Sequence, residues 1–186
     1  VSDSEDSGVS KVLVLVKPEA VRGGQIGLIL SYFDKANFHV EDIKMVCPTR
    51  ELIELHYPPD PEWLAIAGGH WIKAQETLRE QGTPALGPVH TNAVDAGEHL
   101  RELLVLSYAD QPVVAVAYSA KNAVATARKI CGSTDPSVAA KGTIRGDLGD
   151  DSGLQATAED RPIQNKVHVS SSDGDAEREL QLWFGN

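Results

Sequence analysis

Positive charge is what this chain is short of. Its 17 Lys and Arg stand against 27 Asp and Glu, a formal net charge of -10. Such a balance repels phosphate backbones and anionic membrane surfaces, and so excludes nonspecific nucleic-acid binding and attachment to a membrane. Cysteine is scarce too: Cys47 and Cys131 are the two in the chain, without zinc-site or redox spacing. They are too few to staple a secreted scaffold, and a reducing cytoplasm is the expected compartment. No apolar run approaches the length of a membrane span, and the acidic first residues lack the basic-then-apolar order of a secretory signal. The opening at Val1 instead of Met reads as trimming or processing, and residues 1–10, which begin VSDSEDSG, are expected to form a disordered acidic tail.

What is present is 41% hydrophobic residues in 186, enough for one core spanning residues 11–186. KVLVLV, residues 11–16, is a short apolar run closed by Lys17 and Pro18, as a buried strand would be. Residues 25–36 carry Ile26, Ile29, Leu30 and Phe33 at helical spacing, residues 38–48 alternate loosely as a strand, and Thr49 caps a helix to residue 57. Residues 58–107, broken by PPDP, GGH and GTPALGP, are too long for a bare connector, so two helices are expected at 63–80 and 96–108. PVVAVAY (112–118) is a Val-rich strand and KNAVATARKI (121–130) a helix; a long stretch, 132–164, reads largely as loop before a strand at 166–170 and a helix at 175–184. Strands alternating with helices give an α+β or α/β layer with helices on a small sheet.

Within NKVHVSSSD, residues 165–173, His168 stands between two valines. A histidine in an apolar strand is more often a satisfied core residue than a catalyst. The helix that follows places Ala176, Leu180 and Trp183 on one stripe, with Glu179 at the edge of that buried side. A carboxylate there needs a partner, and a neighbouring carboxylate is what holds an imidazole in one tautomer. KGTIRGD, residues 141–147, adds Gly142 and Gly146 for close backbone approach and Thr143 and Arg145 as a hydroxyl and a planar cation, the equipment of a phosphate site. Lys17 and Arg128 are further cations, each at an element end where a charge also has structural uses. Together these are the parts needed to move a phosphoryl group through a phosphoenzyme.

The blocks VLVLVKPEAV, HY at 56–57, ARKICGSTDPSVAAKGTIRGDL and NKVHVSSSDGDAERELQLWF resemble the nucleoside diphosphate kinase family in order and spacing. The resemblance implies an α+β sandwich, a ferredoxin-like βαββαβ antiparallel sheet, here with insertions at about 58–107 and 148–164. It implies His168 as phosphate-accepting nucleophile, Glu179 as its orienter with Ser170 in support, and Lys17 as a catalytic cation. Lys17, Tyr57, Arg128, Thr134, Arg145 and Asn165 would bind nucleotide phosphates or ribose. The implied cofactor is Mg2+ held by nucleotide phosphates and water, with no protein metal cage. The implied partners are nucleoside di- and triphosphates in a ping-pong reaction, and further copies of the chain in a dimer-based tetramer or hexamer. The base-stacking phenylalanine usual in the family is missing, and Trp63 and Trp71 read as core anchors of the added helices. A nucleotide-binding or assembly module with turnover lost is the competing reading.

Overall fold

The computed structural model describes residues 8–185. Four antiparallel strands, β1 (Val9–Val16), β2 (His39–Val46), β3 (Val113–Lys121) and β4 (Val167–Val169), form one sheet in the order β2-β3-β1-β4. The order is that of a ferredoxin-like βαββαβ sheet, as expected. β1 lies in the middle and is covered on both sides, which is why VLVLV contains no polar residue. Val12, Val14 and Val16 enter a core with Phe33, Tyr118 and Ala127, while Leu13 and Leu15 enter a second core with Ile53, Val105, Tyr108 and Trp183. The first core is closed by α1 (Pro18–Arg22), α2 (Ile26–Lys35) and α6 (Ala123–Cys131); the second by α3 (Arg50–His56), α5 (Ala93–Tyr108) and α9 (Asp173–Phe184).

Three sequence expectations change. β1 already begins at Val9, so the tail expected over residues 1–10 does not extend that far; residues 1–7 lie outside the described residues. Pro18 does more than end a strand, since it opens α1 from the first helical turn, where its missing N–H costs nothing. The stretch read largely as loop contains α7 (Ile144–Leu148) and α8 (Gly153–Ala158), preceded by a 3₁₀ turn at Pro136–Val138. Short helices with no clear apolar stripe leave little periodic signal.

α4 (Pro61–Glu80) and α5 realise the two helices expected between β2 and β3, and α4 runs unbroken through GGH. Gly68 is needed for contact: a Cβ there would lie 1.8 Å from the Ala93 carbonyl oxygen, and one at Gly97 2.1 Å from that of Leu64. The helices therefore cross at backbone contact. α8 packs on α4, and the Leu86 N–H donates to the Ala158 carbonyl (2.9 Å) while His99 Nε2 meets Asp160 Oδ1 at 2.7 Å. α4, α5 and α8 thus form one helical layer. Trp71 is buried within it, as expected of an anchor, whereas Trp63 is half-buried with its ring 6.4 Å from that of Tyr57.

The paired glycines of GGH should respond oppositely to the same change. Gly68→Ala drives a methyl group into the α5 backbone and is expected to lower unfolding free energy by about 3 kcal/mol. Gly69→Ala meets no atom within 4 Å, and is expected to raise it by roughly 0.5–1 kcal/mol through helix propensity. Thermal and urea unfolding of the two variants checks the crossing.

Candidate active site

His168 occupies the centre of β4 opposite Leu15, so the alternation that sends Val167 and Val169 into the first core turns the imidazole toward α3, α5 and α9. Its side chain keeps 19% of its surface exposed and its Nε2 lies 3.2 Å from Glu179 Oε2. Ser170, two residues on and on the same side of the chain, donates its hydroxyl to Glu179 Oε2 at 2.7 Å and accepts the Leu13 N–H at 3.2 Å. The sequence expected Glu179 at the edge of the buried stripe. In α9 it lies within the stripe, flanked by Ala176 and Trp183, and is almost completely enclosed. An ionised carboxylate can only accept, so Nε2 carries the imidazole proton and Nδ1 keeps its lone pair.

The cations gather at the neighbouring strand ends. Lys17, N-cap of α1, is buried and donates to the Ile163 carbonyl (3.1 Å) and Asn165 Oδ1 (3.2 Å), with Glu19 Oε1 at 3.7 Å. Burial lowers its pKa below the usual lysine value; Glu19 opposes the shift and Arg145 adds to it. Asn165 also donates from Nδ2 to the Thr134 carbonyl at 2.9 Å, tying the exposed Thr134 turn to the strand. Arg145 donates to the carbonyls of Gly132 (3.0 Å) and Val167 (2.8 Å), which places it one residue from His168, and its Nε is buried with no partner among the described residues. Burial also lowers the Arg145 pKa, with repulsion from Arg128 contributing. Arg128 is exposed in the last turn of α6. Tyr57, at the end of α3, places its ring 6.0 Å from that of His168 and its hydroxyl 3.4 Å from the Tyr108 hydroxyl. His168, Glu179, Ser170, Lys17, Tyr57, Asn165 and Arg145 are thereby brought together, with Thr134 attached through Asn165 and Arg128 acting at longer range.

The GTIRGD segment is built differently from the phosphate loop its glycines suggested. The Thr143 hydroxyl caps α7 by accepting the Gly146 N–H at 3.1 Å, and a Cβ on Gly146 would meet the Ala140 carbonyl oxygen at 2.0 Å. Gly146 serves packing of the loop on itself, Gly142 supplies a left-handed turn (φ 87°), and Arg145 is the residue the loop sends to the site. In the acidic segment 148–164, Asp151 is buried in a two-pronged pair with Arg161 (2.6 and 3.0 Å), and the exposed Asp150 pairs with Lys166 at 2.9 Å.

Four residues assigned no role from sequence complete the site. His56 is buried, accepts the Trp183 Nε1–H at its Nδ1 (3.2 Å), and sets its ring edge-on to His168 with centroids 4.6 Å apart. Burial, then repulsion by His168 and Arg178, pushes its pKa well below the ordinary histidine value. Arg178 donates to the Leu55 carbonyl at 3.1 Å and lies 3.6 Å from Glu179 Oε1. Tyr108 and Trp183 are fully enclosed. The HY pair was the available signal for His56; the others are apolar or surface-helix positions by pattern. His56, His168 and Glu179 have ligand atoms within 4.8 Å of one another. Two imidazoles and one carboxylate suit a borderline-soft ion better than magnesium, which prefers oxygen.

Because folded His56 resists protonation, its contribution to stability is complete above about pH 6.5 and is lost as pH falls from there toward its depressed folded value. Melting temperature of the protein should therefore drop between pH 7 and 5 more steeply than that of His56→Phe. Parallel curves for the two would remove the basis for a neutral, buried His56.

The geometry agrees with what known proteins resemble this chain. The sequence profile of the family described as nucleoside diphosphate kinase matches residues 10–62 and 93–186, passing over most of α4 and the loop after it. A nucleoside diphosphate kinase of Pyrobaculum aerophilum is 38% identical over 95% of both chains, and one of Pyrococcus furiosus 34% identical over 95% of this chain and 83% of its own. Among solved structures, an NDP kinase from Pyrobaculum aerophilum superposes with a TM-score of 0.85 at 37% identity, over 95% of this chain and 96% of its own. The Borrelia burgdorferi nucleoside-diphosphate kinase, a transition-state mimic with bound vanadate and ADP, superposes with a TM-score of 0.73 at 26% identity, over 95% and 87%. The profile match across both halves and the relatives' identity over nearly the whole length establish that the chain belongs to the nucleoside diphosphate kinase family.

Proposed function

We propose that the protein transfers the γ-phosphoryl group of a nucleoside triphosphate to a nucleoside diphosphate through a phosphohistidine at His168. The observation that carries this reading is the partly exposed imidazole whose Nε2 is tied to a buried carboxylate, leaving Nδ1 as the nucleophile. Attack by the Nδ1 lone pair forms a P–N bond while the P–O bond to the leaving diphosphate breaks and its electrons pass to that oxygen. The ring becomes cationic, and Glu179 Oε2 on Nε2–H stabilises it, with Ser170 holding the carboxylate in place. A second nucleoside diphosphate then attacks phosphorus through its terminal oxygen and releases His168 as the neutral imidazole.

Lys17, Arg145 and Arg128 would offset the charge of the transferred group, and the unpartnered Nε of Arg145 supports a phosphate oxygen as its missing acceptor. Tyr57, Thr134 and Asn165 would hold the ribose and phosphates. The family needs a divalent metal; we infer Mg2+, which when bound to the nucleotide's phosphates neutralises charge there. The donor set His56, His168 and Glu179 is not a magnesium cage. A single domain that includes β1 from Val9 and runs through α9 fits the one sheet and its two cores. Among the described residues no helix is long and apolar enough to cross a membrane, and a cytoplasmic site of action is part of the proposal.

The same reading includes assembly into a dimer-based tetramer or hexamer. Edge strand β2 exposes Val40, Ile43 and Met45, the last at 62%, beside its unpaired backbone groups. Sedimentation should give a multiple of the 20.0 kDa chain, and Ile43→Lys should shift it toward smaller species.

With γ-labelled ATP and Mg2+ the protein should acquire acid-labile, alkali-stable label that GDP discharges and EDTA prevents. His168→Ala should take up none, and Glu179→Gln should label roughly 10- to 100-fold more slowly. Nucleotide binding without label would favour the module that has lost turnover.

A further inference from the structure

α5, packed between α4 and the site, touches Tyr57 at two places. At its C-terminal residue, the Tyr108 hydroxyl lies 3.4 Å from the Tyr57 hydroxyl, and the Tyr108 ring lies under Lys17, with Nζ 5.5 Å from its centroid. Two turns earlier, Arg101 donates from Nε to the Tyr57 carbonyl at 2.5 Å and from Nη2 to that of Glu54 at 3.1 Å, satisfying the end of α3. Arg50 of α3 forks onto Glu102 of α5 at 2.7 and 2.9 Å, so the two helices are fastened at the surface as well. Tyr108 is enclosed, and burial pushes its phenol pKa well above 10, so its oxygen stays neutral and accepts from the Tyr57 hydroxyl.

The geometry points to Tyr108 and Arg101 as positioning residues for nucleotide binding, α5 bracketing Tyr57 at phenol and carbonyl while the Tyr108 ring supports the Lys17 ammonium. The inference rests on the proposed roles of Tyr57 and Lys17. It couples α5, and the α4 packed on it, to the reaction: a phenol aimed by a second phenol loses less freedom on meeting a nucleotide. The charged groups around Lys17 Nζ are Glu19 of α1, Arg145 of α7 and Asp151 of the following loop, and a π face adds cation stabilisation without adding a competing negative charge.

Tyr108→Phe keeps the ring and deletes the hydroxyl; the contact is long for a hydroxyl pair, so ADP affinity by titration calorimetry should weaken roughly threefold. Arg101→Met should weaken it roughly tenfold. In a Tyr57→Phe background Tyr108→Phe should have no further effect, a coupling that general loss of stability would not produce. Tyr108→Leu removes the cation's support, and the alkaline limb of kcat/KM should move to lower pH than in Tyr108→Phe. ADP affinity unchanged in Tyr108→Phe and Arg101→Met, or weakened equally with and without the Tyr57 hydroxyl, overturns the inference. A wild-type protein that binds ADP but never forms phosphohistidine would strike down the kinase reading, and the affinity measurements would still decide the bracket. Wild-type protein unable to bind ADP would end both.

Discussion

Glu179 is a carboxyl group sealed inside a protein, and the site is arranged around the donors that meet its oxygens. An ionised group so deeply enclosed is tolerated when its oxygens are saturated by donors. Oε2 receives Ser170 and His168, and Arg178 stands 3.6 Å from Oε1. The remaining neighbour, His56, is held neutral by burial and engaged by Trp183, although its Nδ1 is only 4.0 Å from Oε1. A charged His56 would compete with His168 for the same carboxylate. Keeping one imidazole neutral lets the other be the one that the acid aims.

The second constraint is how an acidic chain presents positive charge to a polyanion. The cations of the site are anchored mainly on neutral acceptors: Lys17 on Ile163 and Asn165, Arg145 on the carbonyls of Gly132 and Val167. Of the carboxylates that act on Lys17, Glu19 stands at 3.7 Å and Asp151 contributes less. Carbonyl anchoring orients a guanidinium or ammonium without cancelling its charge. The acids of the segment between α7 and β4 are meanwhile matched by Arg161 and Lys166, so Asp150 and Asp151 are tied down locally. The net charge of -10 is therefore a poor guide to the field at His168.

The helical layer of α4, α5 and α8 builds on the same sheet. Gly68 and Gly97 bring α4 and α5 to backbone contact, α8 closes over α4, and α5 ends on the enclosed Tyr108 that meets Tyr57. A layer that looks peripheral in sequence is thus continuous with the wall of the site. Its rigidity comes from close helix contact, which side chains larger than glycine would prevent.

Local chemistry of the sequence was sufficient for β1, whose alternating Val and Leu require two covered faces, for α2 through its apolar spacing, and for α3 and α9, whose caps are also self-contained. His168 and Glu179 were legible because they lie on consecutive elements, 11 residues apart. α7 and α8 were not, since helices of 5 and 6 residues hold together through tertiary contact more than through any periodic pattern. Nor could the chain alone say that Gly146 of GTIRGD faces its own loop's backbone, that Gly68 faces α5 while Gly69 faces solvent, or that His56 and Tyr108 belong to the site. Their partners, Trp183 and Tyr57, are 127 and 51 residues away. Sequence determines which side chains can hydrogen-bond, bury or carry charge; only the folding of distant segments against one another decides which of them meet.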